Sequence, residues 1–167
     1  MLPVLREKLF PFLFLLSISV SVFAQTPPGT IPDFKFFKLD RSSFTNRNLA
    51  ANKLIFFCFF DISCDHCQHA IDKINKQYNE FKGAAIYLIT WDNQNSINLF
   101  MNRYGPGLPG KKNVTILQDL NHEFINKFRP KKYPSIFLFS RDKKLMLYDD
   151  NPDNLYKFLN QIKLAAK

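Results

Sequence analysis

The sequence is poor in cysteine, with only Cys58, Cys64 and Cys67 among its 167 residues. An odd number leaves at least one thiol without a partner in the same chain. A chain of this length can bury a sizeable core, so it does not need a framework of disulfides for stability. We therefore interpret these cysteines as residues that carry chemistry rather than as structural cross-links.

Long apolar stretches are also scarce, and the clearest one lies at the beginning of the chain. Arg6 and Lys8 precede an almost wholly apolar run at 9–23, and small residues gather near Ala24. This layout is typical of a cleavable secretory signal, and the run is shorter than the about 20 residues that a spanning helix needs. We expect 1–24 to be a signal peptide that directs export to the periplasm or the exterior, with no stable membrane insertion after cleavage. An uncleaved membrane anchor is the alternative.

Acidic residues are outnumbered, with 14 Asp and Glu against 23 Lys and Arg and a formal net charge of +9. Such a balance suits nucleic acid, anionic membrane surfaces or acidic protein partners. Export argues against nucleic acid, and we expect none. One local cluster, Lys127, Arg129, Lys131 and Lys132, would favour acidic partners, and a merely solvated loop is the alternative of equal weight.

Hydrophobic patterning predicts alternating strands and helices. The unbroken apolar run 54–60 indicates a strand buried on both faces, and 84–90 indicates a second one. Apolar residues at helical spacing predict a helix that follows Cys64 and ends at Gly83, and Ser96 is expected to cap the next helix. The remaining predicted elements are a strand at 34–39 with a turn at 40–42, a strand at 114–117, a helix at 121–128, strands at 135–139 and 145–148, and a helix from Pro152.

This order of elements predicts an α/β fold with a central mixed sheet flanked by helices and a short N-terminal hairpin. The alternating part gives parallel strands, and the two consecutive strands near the end give an antiparallel hairpin. A stretch rich in Pro, Gly and Thr at 25–32 is expected to be a linker, which leaves 33–167 as one domain. There are no internal repeats and no low-complexity tract.

The motif that carries chemistry is Cys64-Asp65-His66-Cys67, which lies where a buried strand ends and a helix begins. Unpaired N–H groups and the helix dipole favour a thiolate on Cys64, so Cys64 is predicted to attack. Cys67 lies one turn further on the protected side, where it can resolve a mixed disulfide with a substrate. A structural zinc half-site needs four ligands, and only His66 and His69 stand nearby, so redox chemistry is the better interpretation.

A second motif is Tyr133-Pro134, directly before the predicted strand 135–139. A proline at a strand start is ordinary by itself, but it gains weight from the upstream CxxC. Together with the entry segments 31–34 and 39–40, these residues resemble the thioredoxin superfamily, specifically the TlpA/ResA-like exported thiol–disulfide oxidoreductases.

The resemblance covers about residue 31 to the C-terminus. It implies a thioredoxin-like fold and a cis Tyr133–Pro134 bond against the cysteine motif. It also implies a redox-active Cys64–Cys67 disulfide, partners with protein thiols or disulfides, a recycling redox protein, and no cofactor or metal.

Some positions depart from that family. Ser63 stands where the family usually has Trp, and the dipeptide Asp65-His66 is neither Gly-Pro nor Pro-Pro. His66 could donate a hydrogen bond to a Cys64 thiolate and make the cysteine pair more oxidising, while Asp65 acts in the opposite direction, so reductase and oxidase both stay open.

Cys58 occupies a position where thioredoxin-like strands often carry a buried Asp or Asn. We interpret it as a small core residue, with a redox role as the alternative.

Three other functions compete with disulfide exchange. A copper-handling module would use the two motif cysteines and a histidine, although related copper chaperones have CxxxC spacing. A peroxidase is disfavoured because peroxiredoxins place Pro and Thr or Ser where this chain has Phe57 and Asp61. The departures from the family keep a non-catalytic thioredoxin-like binding domain open. His122 and Trp91 are expected to be structural.

Overall fold

The computed structural model describes residues 26–165, so the expected signal peptide lies outside the described residues. Seven strands form one sheet. In chain order the elements are β1 (Lys35–Lys38), β2 (Ser43–Thr45), β3 (Leu54–Phe59), α1 (Asp65–Lys76), β4 (Ala84–Thr90), α2 (Gln94–Tyr104), β5 (Val114–Gln118), α3 (Glu123–Phe128), β6 (Ser135–Phe139), β7 (Leu145–Asp149) and α4 (Leu155–Ala165).

The strands lie in the order β2-β1-β5-β4-β3-β6-β7. β3, β4 and β5 run parallel to one another. β6 is antiparallel to β3, β7 is antiparallel to β6, and the β1–β2 hairpin joins the other edge through β5. The predicted mixed sheet with an N-terminal hairpin is therefore confirmed.

Every residue of β3 is buried, and its side chains alternate between two apolar clusters on opposite faces of the sheet. Phe56 and Cys58 belong to the cluster that α1, α2 and α4 cover. Phe57 and Phe59 belong to the other cluster, which is mostly aromatic and includes the buried face of α3. The unbroken apolar run of β3 reflects this coverage on both sides, because a strand between two packed layers has no face for water.

Several helix boundaries differ from the sequence-based expectation. Ser96 does not cap α2, because Asn93 does: its side-chain oxygen accepts a hydrogen bond from the backbone N–H of Ser96 at 3.0 Å. The helix expected to run to Gly83 ends at Lys76 and is followed by a 3-10 turn at Tyr78–Phe81. Short polar side chains compete for the same helix start, and only the tertiary structure decides between them.

The starts of the last two helices are also later than expected. The carboxylate of Asp119 accepts hydrogen bonds from the backbone N–H groups of Glu123 and Phe124, at 2.9 and 2.8 Å, which fixes the first turn of α3. His122 therefore precedes the helix, in a left-handed backbone conformation with φ of 53°. Pro152 begins a 3-10 turn, and α4 follows it.

Part of the expected linker is attached to the sheet. Thr30 forms a β-bridge with Lys144, and the backbone N–H of Ile31 donates to the carbonyl of Lys143 at 3.0 Å. The side chain of Ile31 is buried in the aromatic cluster. Residues 29–31 are thus held against the turn between β6 and β7. Within residues 26–165, the helices are too short or too polar to cross a membrane.

Candidate active site

The turn after β3 delivers Cys64 to the start of α1. The carboxylate of Asp61 accepts hydrogen bonds from the backbone N–H and the hydroxyl of Ser63, at 2.7 and 2.5 Å. The backbone N–H of Cys64 then donates to the carbonyl of Asp61 at 3.2 Å. This short turn around Asp61 connects the end of β3 to the start of α1 through five residues, 60–64. Asp61, which the sequence had marked only as a departure from related motifs, therefore shapes the turn that carries the motif.

The two motif cysteines occupy different environments. Cys64 is the N-cap of α1 and is partly exposed, and its sulfur accepts a hydrogen bond from the backbone N–H of Cys67 at 3.3 Å. Cys67 is completely buried, and its sulfur accepts from the backbone N–H of Asp61 at 3.5 Å. Both are free thiols here, so the Cys64–Cys67 disulfide stays a prediction. The geometry presents one sulfur to an incoming molecule and keeps the other directly behind it.

Burial also separates the acidities of the thiols. It raises the pKa of Cys67 far above the usual thiol range, and the hydrogen bond from Asp61 opposes this only partly. Burial raises the pKa of Cys58 to about 12. Both groups are protonated at neutral pH, and a protonated buried thiol is a poor nucleophile. This arrangement supports the prediction that Cys64 attacks, and it fits Cys58 as a small core residue.

The Tyr133–Pro134 loop lies beside Cys64 because of how β6 pairs with β3. The two strands are antiparallel with Phe59 opposite Ser135, so the chain that enters β6 meets the chain that leaves β3. The Tyr133–Pro134 peptide bond is cis, as predicted. The thiol of Cys64 lies 3.9 Å from the carbonyl oxygen of Tyr133, as a weak donor to it. Residues 69 positions apart in sequence thus form one site.

The side chain of Tyr133 anchors this loop in an aromatic wall. Its ring lies 5.3 Å from Phe59 and 5.2 Å from Trp91, in an edge-to-face arrangement with the latter. Burial raises the pKa of the Tyr133 hydroxyl, with a further contribution from the Asp61 carboxylate. That hydroxyl is buried without a hydrogen-bond partner among the described residues. Trp91 therefore packs against the loop that lies beside Cys64.

A signal for Trp91 was present in the sequence. It directly follows β4, and the carboxyl end of β4 lies beside that of its parallel neighbour β3. The next residue, Asp92, accepts a hydrogen bond from the backbone N–H of Ile62 at 3.3 Å. Residues at the carboxyl ends of adjacent parallel strands share one edge of the sheet, where sites in open α/β folds collect. By this rule, the position of Trp91 and Asp92 directly after β4 predicts that both lie close to the cysteine motif.

Asp65 and His66 are exposed in the first turn of α1. His66 forms no hydrogen bond with Cys64 among the described residues, so any influence on the sulfur acts through space. Instead, His66 lines a groove of about 340 Å³ between α1 and the segment after β7. The groove also contains His69, Lys132, Tyr133 and Asp153. It gives the site an open, polar flank.

Two lysines of the predicted basic cluster form ion pairs with different acidic residues. Lys127 pairs with Glu123 at 2.7 Å, one turn earlier on α3. Lys132 lies 3.5 Å from Asp150 and reaches the groove beside His66. The cluster is therefore partly neutralised, and Lys132 is its closest link to the candidate site.

Solved structures of other proteins share this architecture. The thioredoxin domain of a thiol-disulfide oxidoreductase from Bacteroides vulgatus has a TM-score of 0.65 and 19% identity, covering 81% of this chain and 96% of that one. The bacterioferritin comigratory protein of Xanthomonas campestris, studied for alkyl peroxide reduction, has a TM-score of 0.65 and 18% identity, covering 86% and 99%. Copper-bound ScoI from Arabidopsis thaliana has a TM-score of 0.59 and 15% identity, covering 80% and 99%. At these identities the likeness is one of fold.

The sheet order, with a cis-proline loop beside a CxxC motif at a helix start, defines a thioredoxin-like protein and confirms the predicted superfamily. The chain belongs to the AhpC/TSA family, whose model matches residues 29–148. No curated protein matches the sequence closely enough to count as a relative. Family and fold support a redox enzyme in the general sense.

Proposed function

We propose that this protein is an exported, TlpA/ResA-like thiol–disulfide oxidoreductase that exchanges disulfides with other proteins through Cys64 and Cys67. The observation that carries the proposal is the pairing of a partly exposed sulfur at the start of α1 with a fully buried sulfur one turn behind it. The carbonyl oxygen of Tyr133 lies 3.9 Å from the exposed sulfur, so a backbone acceptor stands beside the attacking group. Protein thiols or disulfides are the substrates, and a second redox protein recycles the pair.

In the reducing direction, the Cys64 thiolate attacks one sulfur of a substrate disulfide. The substrate S–S bond breaks, a Cys64–substrate disulfide forms, and the other substrate sulfur leaves as a thiolate. That thiolate takes up a proton as Cys67 loses one, and the backbone N–H of Asp61 is placed to stabilise the Cys67 thiolate. The Cys67 thiolate then attacks the Cys64 sulfur, which breaks the mixed disulfide, releases the second substrate sulfur as a thiolate and leaves a Cys64–Cys67 disulfide. Two electrons pass to the substrate, and the oxidising direction is the reverse.

Reduction of alkyl peroxides and handling of copper are the competing functions, since proteins of the same fold are named for each. Phe57, at the position where peroxiredoxins have proline, is buried in β3 and presents no polar group to Cys64. Among residues 26–165, side chains of His, Cys, Asp and Glu form no group of three or more arranged to hold a metal ion. Disulfide exchange needs only the two sulfurs that the site does bring together.

The test is a redox titration of the chain in glutathione buffers, read by mass spectrometry after alkylation of free thiols. The wild type and Cys58→Ser should interconvert between a dithiol and one internal disulfide, whereas Cys64→Ser and Cys67→Ser should form none. A midpoint near that of thioredoxin, about −270 mV, indicates a reductase, and one near that of DsbA, about −120 mV, indicates an oxidase. If no internal disulfide forms in strongly oxidising buffer, the protein is a non-catalytic binding domain and the proposal fails.

The dipeptide between the cysteines is expected to tune this midpoint. A neighbouring cation stabilises a thiolate and favours the dithiol, so His66→Pro should make the potential more negative. Asp65→Asn removes a nearby negative charge and should make it more positive. A change of 1.4 kcal/mol in thiolate stabilisation corresponds to about 30 mV in this two-electron couple. Shifts of both variants in the same direction in the titration would show that local charge does not set the potential.

A further inference from the structure

Three lysines stand just before the three parallel strands. Lys53 directly precedes β3, while Lys82 and Lys112 each stand two residues before β4 and β5. The three strands are adjacent and parallel, so their amino ends lie along the same edge of the sheet. This edge is opposite the one where Cys64 follows β3. The topology therefore gathers three basic side chains at the end of the molecule remote from the cysteine motif.

These lysines line one cavity of about 210 Å³. Ala85, which is buried on the same face of the sheet as Tyr87, contributes only a small side chain to the lining and so leaves room for the cavity. None of the residues that line it is acidic. None of the three lysines is among the described residues that form ion pairs, in contrast to Lys127 and Lys132 near the candidate active site. The lining of the cavity is thus positively charged, and no carboxylate among the described lining residues neutralises it.

The wall of the cavity also carries a buried hydroxyl that is held in place. Tyr87 is 4% exposed, and its ring packs 5.4 Å from both Phe44 and Phe57. The hydroxyl oxygen accepts a hydrogen bond from the backbone N–H of Ala50 at 2.9 Å. Its own proton has no acceptor among the described residues, and burial raises the pKa of Tyr87, so the group remains a donor at neutral pH. Thr115, its register partner on β5, adds a second hydroxyl to the same cavity.

We propose that this cavity binds a phosphate-type oxyanion, either free or as the head group of an anionic lipid. Three ammonium groups supply charged hydrogen-bond donors and two hydroxyls can add neutral ones, which matches the several acceptor oxygens of a tetrahedral anion. A cation would find no ligand oxygen with negative charge there. The site is independent of the redox chemistry proposed above, because it lies at the opposite edge of the sheet.

The experiment is calorimetric titration of the full chain with inorganic phosphate and pyrophosphate at low ionic strength. The variant Lys53→Gln/Lys82→Gln/Lys112→Gln is compared with Lys35→Gln/Lys127→Gln/Lys131→Gln, which removes the same charge at the opposite end of the sheet. Each charge-assisted contact is worth about a tenfold change in affinity, so the cavity variant should bind at least about a hundredfold more weakly. The control variant should stay within about threefold of the wild type, because exposed charges at a distance are largely screened.

A single hydroxyl substitution keeps the proposal testable if the triple variant is unstable. Thr115→Val preserves the shape and strand preference of the side chain, and it should weaken binding by about three- to tenfold. Cosedimentation with vesicles of phosphatidylglycerol or phosphatidylcholine distinguishes the two sources of the anion. Binding of phosphatidylglycerol vesicles that depends on the three lysines assigns the site to a lipid head group, and binding of free phosphate alone assigns it to a soluble anion. Absence of both, or equal losses in the cavity and control variants, would overturn the proposal.

Discussion

Replacing Cys67 with serine is expected to turn the protein into a trap for its substrates. Cys64 would still attack a substrate disulfide, but the mixed disulfide could no longer be resolved from behind. A thiol positioned within the same site acts at an effective concentration far above that of a free thiol in solution. Loss of that thiol should therefore lower turnover at least about a hundredfold and leave substrates covalently attached to Cys64.

The measurement is non-reducing gel electrophoresis of the Cys67→Ser variant after mixing with disulfide-containing exported proteins. Cys64→Ser serves as the control, since it removes the accessible sulfur and should trap nothing. Iodoacetamide at neutral pH should label Cys64 of the folded wild type before Cys58 or Cys67, because both of the latter are fully buried. Adducts on Cys64→Ser, or labelling of Cys67 first, would reverse the proposed roles of the two sulfurs.

Phe128→Ala is expected to produce the largest loss of stability from a single substitution outside the site. Phe128 is the last residue of α3, and its ring lies 4.6 Å from Phe124, 5.6 Å from Phe57 and 5.9 Å from Phe137. Deleting a fully buried phenylalanine removes its transfer free energy and leaves a cavity, at a cost of about 3–5 kcal/mol. Domains are stable by only about 5–15 kcal/mol, so much of the folded population would be lost near physiological temperature.

Urea denaturation followed by circular dichroism measures this loss. With a slope of about 1–3 kcal/mol per molar, the midpoint should fall by roughly 2 M for Phe128→Ala. Ile125→Ala lies on the same helix but is 44% exposed, so it should shift the midpoint by less than about 0.5 M. An equal shift in both variants would mean that helix propensity, rather than the aromatic cluster, holds α3 in place.

The same substitution connects the core to the candidate site. Five residues separate Phe128 from Pro134, and Tyr133 packs on Phe59, which stacks on Phe124 at 3.8 Å. A displaced α3 would therefore release the loop that lies beside Cys64. The pairing of β6 with β3 brings the loop to Cys64, and the packing of the Tyr133 ring on Phe59 and Trp91 holds it there.

Much of this fold was predictable because its signals are local and repeated. The apolar run of β3 and the helical spacing after Cys64 each follow from periodicity within one segment. The position of the cysteine motif was equally predictable, since the strand, the turn and the helix around it are consecutive in the sequence. Helix starts were predicted less well: Ser96 was expected to cap α2, but Asn93 does, because several short polar residues can cap a helix and the choice depends on how the helix packs.

The sequence by itself determined the mixed sheet and the placement of Cys64 and Cys67 at the start of a helix. Only the tertiary structure decided how completely Cys67 is buried, and it alone placed Trp91 against Tyr133. It also gathered the lysines that precede β3, β4 and β5 into one cavity. The physical reason is that strand pairing joins residues that are far apart in the chain, so burial and charge at those positions depend on register across the sheet, which no single segment encodes.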